Sequence, residues 1–334
     1  DGAGTPYKIG TAEELYWFAG LVNGTLPGVK KDLSANAILT DDIIVNTGVL
    51  DPNKDLVSGN DFIEWIPIGK SSSDDDAYTG TFDGNGHTIS GLYFNKSNSW
   101  YVGLFGCIGA EGKISNVGVS DSYFQSSNCP YIGGVCGSNS GELQNCSNSS
   151  TVIGKENEYR IGGVCGYNSG TVKDCKNTGS VRGKETIGGV CGYNERRYNE
   201  KGGIIENSFN EGTVSGTGDY DVLNIGGVCG YNYGGTIKSC YNTASVSGQY
   251  SVGGVCGDNY EGPITNCYYL SGTVADGKGG IGGKDDENGK AVEMSKDRFK
   301  SGEVAWLLNG SKSVSTEEST LAWYQKLGEN ADAY

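Results

Sequence analysis

The residues able to do chemistry in this 334-residue chain are eleven cysteines, one histidine and a few acidic or glycine-rich runs. Their spacing excludes most reactions. A single histidine, His87, rules out every site that needs two imidazoles, the His-Glu-x-x-His zinc peptidase arrangement included. It leaves a Ser-His-Asp triad open by counting alone. The cysteines contain no Cys-x-x-Cys pair, which disfavours zinc ribbons and thioredoxin-type redox sites. Gly277-Lys-Gly279-Gly-Ile-Gly282 fits the G-x-G-x-x-G pattern, but no helical pattern follows it, as a dinucleotide site requires. Gly69-Lys70-Ser71 ends like a phosphate loop, yet Glu64 stands where the leading glycine belongs. Asp74-Asp75-Asp76 and Asp285-Asp286-Glu287 offer oxygens to calcium without the spacing of a known calcium loop, and read as solvated loops. No catalytic residue, cofactor or metal ligand is assigned.

Charge narrows the partners. Forty acidic against 25 basic side chains leave a net charge of −15, which argues against nucleic acid, because counterion release needs clustered lysines and arginines. Hydrophobic residues make up 36% and aromatic residues 10%, enough for a core despite 57 glycines. No apolar run approaches the roughly 18 residues of a membrane span. Asp1 opens the chain without a basic start or an apolar stretch, so no signal peptide is expected within it.

The elements that position these residues are repeats. Ile-Gly-Gly-Val-Cys-Gly begins at Ile132, Ile161, Ile187 and Ile225 and returns with valine at Val252, at intervals of 29, 26, 38 and 27 residues. An earlier form, Val102 to Gly106, places Phe105 where the later units have Cys136, Cys165, Cys191, Cys229 and Cys256. A second phrase follows each unit, with Leu143, Val172, Ile205, Ile237 and Ile264, then Cys146, Cys175, Ser208, Cys240 and Cys267. Valines at 152, 181, 214, 246 and 274 complete the unit. These short apolar stretches, split by Gly, Asn and Ser, read as strands joined by tight turns, and no unit carries a ten-residue helical pattern. One unit cannot bury its apolar face, but stacked copies can, with parallel strands about 4.8 Å apart. The expected fold is all-β: a right-handed parallel β-helix, with an N-terminal capping helix and a C-terminal cap. The hand is the general preference for parallel crossovers.

Asn139, Asn168, Asn194, Asn232 and Asn259 form one column and Asn148, Asn177, Asn210 and Asn242 another, as hydrogen-bonded ladders of stacked turns would require. The two cysteine columns have Phe105 and Ser208 as replacements, so the slot calls for a compact buried side chain; Cys107 lies beside Phe105, and Cys129 stands outside the repeat. Free, stacked thiols are expected, because the rise between coils exceeds the roughly 3.8 Å Cβ separation that a disulfide prefers. Thr11 and Glu14 form a capping box before Leu15, Phe18, Ala19 and Val22, predicting a helix of about three turns that stops at Asn23-Gly24. Residues 1–100 are read as this cap and the opening coils, 101–275 as the repeat body, and 276–334 as a C-terminal cap and linker, within one structural domain. A short helix is expected over Val304 to Leu308, with Trp306 and Trp323 burying that end.

The coil that starts at Ile187 marks a candidate binding surface. Cys191 to Ser208 spans 17 positions where Cys165 to Cys175 spans 10, and Val214 to Ile225 spans 11 where Val181 to Ile187 spans 6. Insertions in a solenoid go to exposed loops, where function concentrates. Arg196, Arg197, Tyr198, Asp219 and Tyr220 are therefore the candidate contacts, with Trp100 as an additional sugar platform. Tolerated surface loops are the competing reading. Tyr167, Tyr193 and Tyr231 form a further exposed column able to stack on sugars or on one another.

The repeated Gly-Gly-Val-Cys-Gly-Tyr-Asn with its trailing Gly-x-Val-x-x-Cys resembles the GLUG motif of bacterial surface proteins. Trp65-Ile-Pro-Ile-Gly69, Phe82-Asp-Gly-Asn-Gly-His-Thr-Ile-Ser-Gly-Leu92 and Val102-Gly-Leu-Phe-Gly106 follow in the order of the first coils of such proteins. The resemblance implies a large, exported bacterial protein, adhesin-like or associated with IgA-specific metallopeptidases, in which this region is a non-catalytic scaffold without catalytic residues. The expected role is adhesion to host glycan or extracellular protein, or display of other domains, by a monomer at the cell surface or secreted. A glycan-active lyase or hydrolase, since parallel β-helices also carry such sites, and a passive spacer are the two rival readings. Against the enzyme, the position before the second cysteine reads Asn145, Asp174, Asn207, Ser239 and Asn266, and Asp174 alone cannot supply both acid and base.

Overall fold

The computed structural model describes residues 4–58, 61–71, 76–128, 130–155, 160–196, 202–217, 224–275, 278–282, 290–311 and 322–323. Its described strands form two nine-stranded and three six-stranded sheets, every pair parallel, in a solenoid of about eight turns. One coil contributes a strand to each sheet in turn: Lys113–Ser115, Gly118–Ser120, Tyr123–Ser127, Tyr131–Gly133 and Cys136–Asn139. These positions define the first to fifth ladders. The apolar columns point inward, among them Leu143, Val172, Ile205 and Ile237 of the first ladder and Ile132, Ile161, Ile187 and Ile225 of the fourth, each 0% exposed.

The repeated glycines are steric. A Cβ on Gly188 would strike the carbonyl oxygen of Cys191 and the amide of Gly230 one coil on. A Cβ on Gly189 would strike the Gly227 carbonyl and the Asn210 side chain, so the second glycine makes room for the asparagine column. The turn from the first to the second ladder has its own column, Asn85, Asn116, Asn145, Asp174, Asn207, Ser239 and Asn266, all with φ from 50° to 55°. Asparagine and aspartate tolerate this left-handed conformation better than other non-glycine residues. Asp174 is thus a turn residue whose Oδ1 accepts from Asn207 Nδ2 at 3.1 Å.

Both buried asparagine columns are continuous ladders. Nδ2 of Asn139, Asn168, Asn194 and Asn232 donates to Oδ1 of the next member at 2.9, 2.8, 2.8 and 2.7 Å. Asn148, Asn177 and Asn210 donate likewise at 2.8 Å each, ending on Asn242. The nine cysteines of the two columns are free and buried, as the spacing predicts, and Cys107 is buried as well; Cys129 lies outside the described residues. In the second column the thiols of Cys146, Cys175, Cys240 and Cys267 donate to the carbonyl two residues back, at 3.3, 3.1, 3.2 and 3.3 Å. Ser208 makes the same bond, Oγ to Glu206 O at 2.9 Å, which is why serine fits there.

Burial pushes the thiols of Cys165, Cys175, Cys229 and Cys240 well above their ordinary value. An unfolded thiol ionises near pH ~8.5, so the stability this burial confers is complete below that pH and is lost as pH rises toward the folded value. Denaturation midpoints are expected to fall between pH 7.5 and 9.5. Replacing Cys175 and Cys240 together by serine is expected to flatten that fall at little cost at pH 7. An unchanged slope would contradict the assignment.

At the N-terminal end, helix α1 (Ala12–Asn23) forms as predicted: Glu14 N donates to Thr11 Oγ1 at 3.3 Å, and Gly24 closes it at φ 66°. The reciprocal capping bond goes one residue upstream, from Gly10 N to Glu14 Oε2 at 2.7 Å. Phe18 meets Tyr78 and Phe82 at centroid distances of 6.2 and 6.0 Å and so covers the opening coils. Trp65 is fully buried, its Nε1 donating to Gly103 O and Leu104 O. His87 sits in the Gly84–His87 turn, with Nδ1 3.4 Å from Asp42.

The C-terminal side forms the short helix expected over Val304 to Leu308 and adds elements that were not expected. A strand, Ala291–Met294, extends the second ladder, and helices α2 (Lys296–Lys300) and α3 (Glu303–Leu308) follow. They pack against Tyr241 and Tyr268 on the outer face of that ladder, with Trp323 against Phe209 and Tyr241. Trp323 buries this side as expected, but Trp306 is 43% exposed. It lies between Val304 and Leu308, which turn inward and take the buried face of so short a helix. A second lateral layer joins Val49 and Leu50 to Tyr123 of the third ladder, with Thr151 Oγ1 donating to Lys54 O at 2.6 Å.

Candidate binding face: a tyrosine and arginine ridge

Outward side chains of the fourth and fifth ladders gather into one aromatic ridge. In the fourth ladder Tyr101, Tyr131 and Arg160 occupy the same register position, each just before the first apolar residue of the repeat. In the fifth, Tyr167, Tyr193 and Tyr231 are in register, and Glu195, Tyr233 and Tyr260 form the next outward column. Ring contacts run without a break: Tyr101–Tyr131 at 5.1 Å, Tyr131–Tyr167 at 5.4 Å, Tyr167–Tyr193 at 5.9 Å and Tyr193–Tyr231 at 5.2 Å. Tyr231–Tyr233 at 6.2 Å and Tyr233–Tyr260 at 5.2 Å carry them to the sixth strand of the ladder. At about 4.8 Å per coil the ridge is about 24 Å long.

Arg160 is set into this row. Its Cζ lies 4.4 Å from the Tyr193 centroid, 5.1 Å from Tyr131 and 5.4 Å from Tyr167, and Nη1 donates to Tyr131 Oη at 2.9 Å. Such cation–π contacts hold a guanidinium flat against its neighbours. The Tyr167 hydroxyl donates to Glu195. Burial pushes the Tyr193 phenol up to about 12, with the Glu195 carboxylate adding to the rise and Arg160 opposing it. Tyr193 is therefore a neutral phenol at ordinary pH, set against the fixed Arg160 cation.

Of the residues expected from sequence, Trp100 is 67% exposed beside Tyr101, at the N-terminal end of the ridge. Arg196 is exposed and follows the Cys191–Glu195 strand, its amide donating to Tyr233 O at 2.9 Å. Arg197, Tyr198, Asp219 and Tyr220 lie outside the described residues. The tyrosine column read from the repeat forms, but it is not the exposed one expected: Tyr167 is only 7% exposed and Tyr193 and Tyr231 are half-buried, because neighbouring rings and Arg160 pack on them. Both long connections adjoin it: one leaves the end of a fifth-ladder strand, the other enters a fourth-ladder strand. Sequence reading missed Arg160, whose position shows only when the residues before Val102, Ile132 and Ile161 are aligned.

The other motifs are absorbed by the fold. Gly279 and Gly280 accept from Gly254 and Val255 and continue the coil. Gly69, at φ 76°, abuts the Cys107 carbonyl, and Lys70 Nζ donates to Asn23 O. Asp76 pairs with Lys31 at 2.6 Å, while Asp74, Asp75 and Asp285 to Glu287 lie outside the described residues. Among the described residues no three His, Cys, Asp or Glu side chains gather as a metal site would need, and no helix is long and apolar enough to cross a membrane.

The fold and face define a parallel β-solenoid with an aromatic strip along one side. Its chain carries GLUG motif repeats, matched at residues 157–182 and 221–247. A solved structure described as a "putative immunoglobulin A1 protease" from Bacteroides ovatus shares the fold, with a TM-score of 0.53 at 18% identity over 93% of this chain and 88% of that one. Halomucin of Haloquadratum walsbyi is 38% identical over 84 residues, which is 25% of this chain and 1% of halomucin. A "Putative Gly-rich membrane protein" of Evansella cellulosilytica is 33% identical over 78 residues, 23% of this chain and 9% of that protein. The shared segments are thus a small part of these relatives.

Proposed function

We propose that this GLUG solenoid is a non-catalytic module, exposed at the cell surface or secreted, that binds extended glycan along the tyrosine ridge and so serves adhesion. The observation that carries this reading is the unbroken row of ring contacts from Tyr101 to Tyr260, with Tyr233 and Tyr260 40% and 46% exposed. Aromatic rings stack on apolar sugar faces while their hydroxyls remain in water, and a rigid row loses little entropy on binding. The name of the Evansella relative, a membrane protein, supports a surface location. Host glycan is the proposed partner, and the module works as a monomer without cofactor or metal.

An array of glycans and extracellular matrix proteins, probed with the parent chain and a Tyr131→Ala/Tyr193→Ala variant, tests this. Saturable glycan binding that weakens at least tenfold in the variant is expected. Binding that ignores the ridge, or no binding to any glycan, would sink the adhesion reading, and shortened glycan chains would sink the non-catalytic one.

A further inference from the structure

The chain has five arginines, and the four described ones divide by place. Arg182 pairs with Asp55 at 2.9 Å and Arg298 with Glu303 at 2.5 Å, both away from the ridge. Arg160 and Arg196, both at the ridge, have no carboxylate within ion-pair distance among the described residues. In a chain of net charge −15, cations with no counter-charge among the described residues, set beside an aromatic row, need a reason. Glu195, on the adjoining ladder, accepts a hydrogen bond from the Tyr167 hydroxyl. Arg160 offers five N–H donors, and a single bond, to Tyr131, is made within the described protein. Three tyrosine rings hold its guanidinium in place, so a ligand meets it already oriented. A planar, pre-set fork suits carboxylate or sulfate oxygens, which it can bind in pairs.

We infer that the ligand of the ridge is an acidic glycan whose carboxylate or sulfate is taken by Arg160 while its sugar rings lie on the neighbouring tyrosines. This rests on the glycan-binding reading and adds the charge of the ligand. Arg196, beside Tyr233, is placed to meet an acid group further along the same chain.

The test uses pairs of probes that differ in charge alone: sialylated and desialylated lactosamine, polygalacturonate and its methyl ester, heparan sulfate and its desulfated form. In at least one pair the acidic member is expected to bind at least tenfold more tightly, and to weaken as salt rises from 50 to 500 mM. Arg160→Gln is expected to remove the difference and the salt dependence, so that the acidic member binds no more tightly than the neutral one; Arg160→Lys is expected to keep part of it. Melting temperatures of both variants identify a folding defect, and Arg160→Lys decides the matter if Arg160→Gln is unstable. Equal affinity within every pair, or charge selectivity that survives both substitutions, would overturn the inference while leaving glycan binding intact. If the tyrosine variant also binds every probe like the parent, the ridge itself is not the site and both readings fall.

Discussion

Gly188→Ala is expected to leave the middle coils unable to close, with a loss of at least about 4 kcal/mol or no folded protein at all. The added methyl would meet the Cys191 carbonyl and the Gly230 amide, both backbone, so no side-chain rotation relieves it. Shifting either group breaks the parallel ladder that joins Gly188 to Gly162 and Gly226. Gly279→Ala supplies the control: among the described residues its methyl would meet nothing nearer than Ile281 O at 3.9 Å, and its midpoint is expected to stay near that of the parent. Urea denaturation followed by circular dichroism measures both. A Gly188→Ala protein as stable as the control would refute the packing account of the Gly-Gly repeat.

The second large effect is expected from Asn177→Leu. The size is nearly conserved, but four hydrogen bonds go. Asn177 Oδ1 accepts from Asn148 Nδ2 at 2.8 Å and from Gly179 N at 3.2 Å, and its Nδ2 donates to Asn210 Oδ1 at 2.8 Å and Gly179 O at 3.1 Å. Leucine leaves these groups buried without that partner, each at about 1–3 kcal/mol, so a total near about 4 kcal/mol is expected after relaxation. Thr178→Ala beside it removes a bond of 3.4 Å at a half-buried site and is expected to cost about 1 kcal/mol or less. Similar midpoints for the two variants would mean that the ladder contributes little.

These interior columns were legible because each coil repeats one steric and hydrogen-bonding problem. Gly188 recurs as Gly162 and Gly226, Asn177 as Asn148 and Asn210, and the repeat interval alone locates them. Helix α1 was legible for a different reason, since its capping residues and apolar face are local in sequence. What does not repeat was harder to read. The packing of α2 and α3 against Tyr241 and Tyr268 depends on which outward side chains happen to be apolar, a question that arises once per chain. The inward faces of α3 were filled by Val304 and Leu308, so Trp306 turned outward against expectation. Arg160 was missed because it breaks a tyrosine column, and a break looks like noise until neighbouring ladders supply Tyr167 and Tyr193 as its partners.

Both asparagine columns point one way: Nδ2 of each coil donates to Oδ1 of the next, from Asn139 to Asn259 and from Asn148 to Asn242. Side-chain amide dipoles in such a chain add head to tail and polarise one another, with the positive pole toward the C-terminal coils. The stack therefore has a polarity, and its two ends are not interchangeable. A unit added after the last coil must present an acceptor, and one added before the first must present a donor. Tandem duplication of a whole unit meets both conditions automatically, whereas an inverted one would set donor against donor. The direction of the amides thus restricts lengthening of this solenoid, in evolution or by design, to head-to-tail copying.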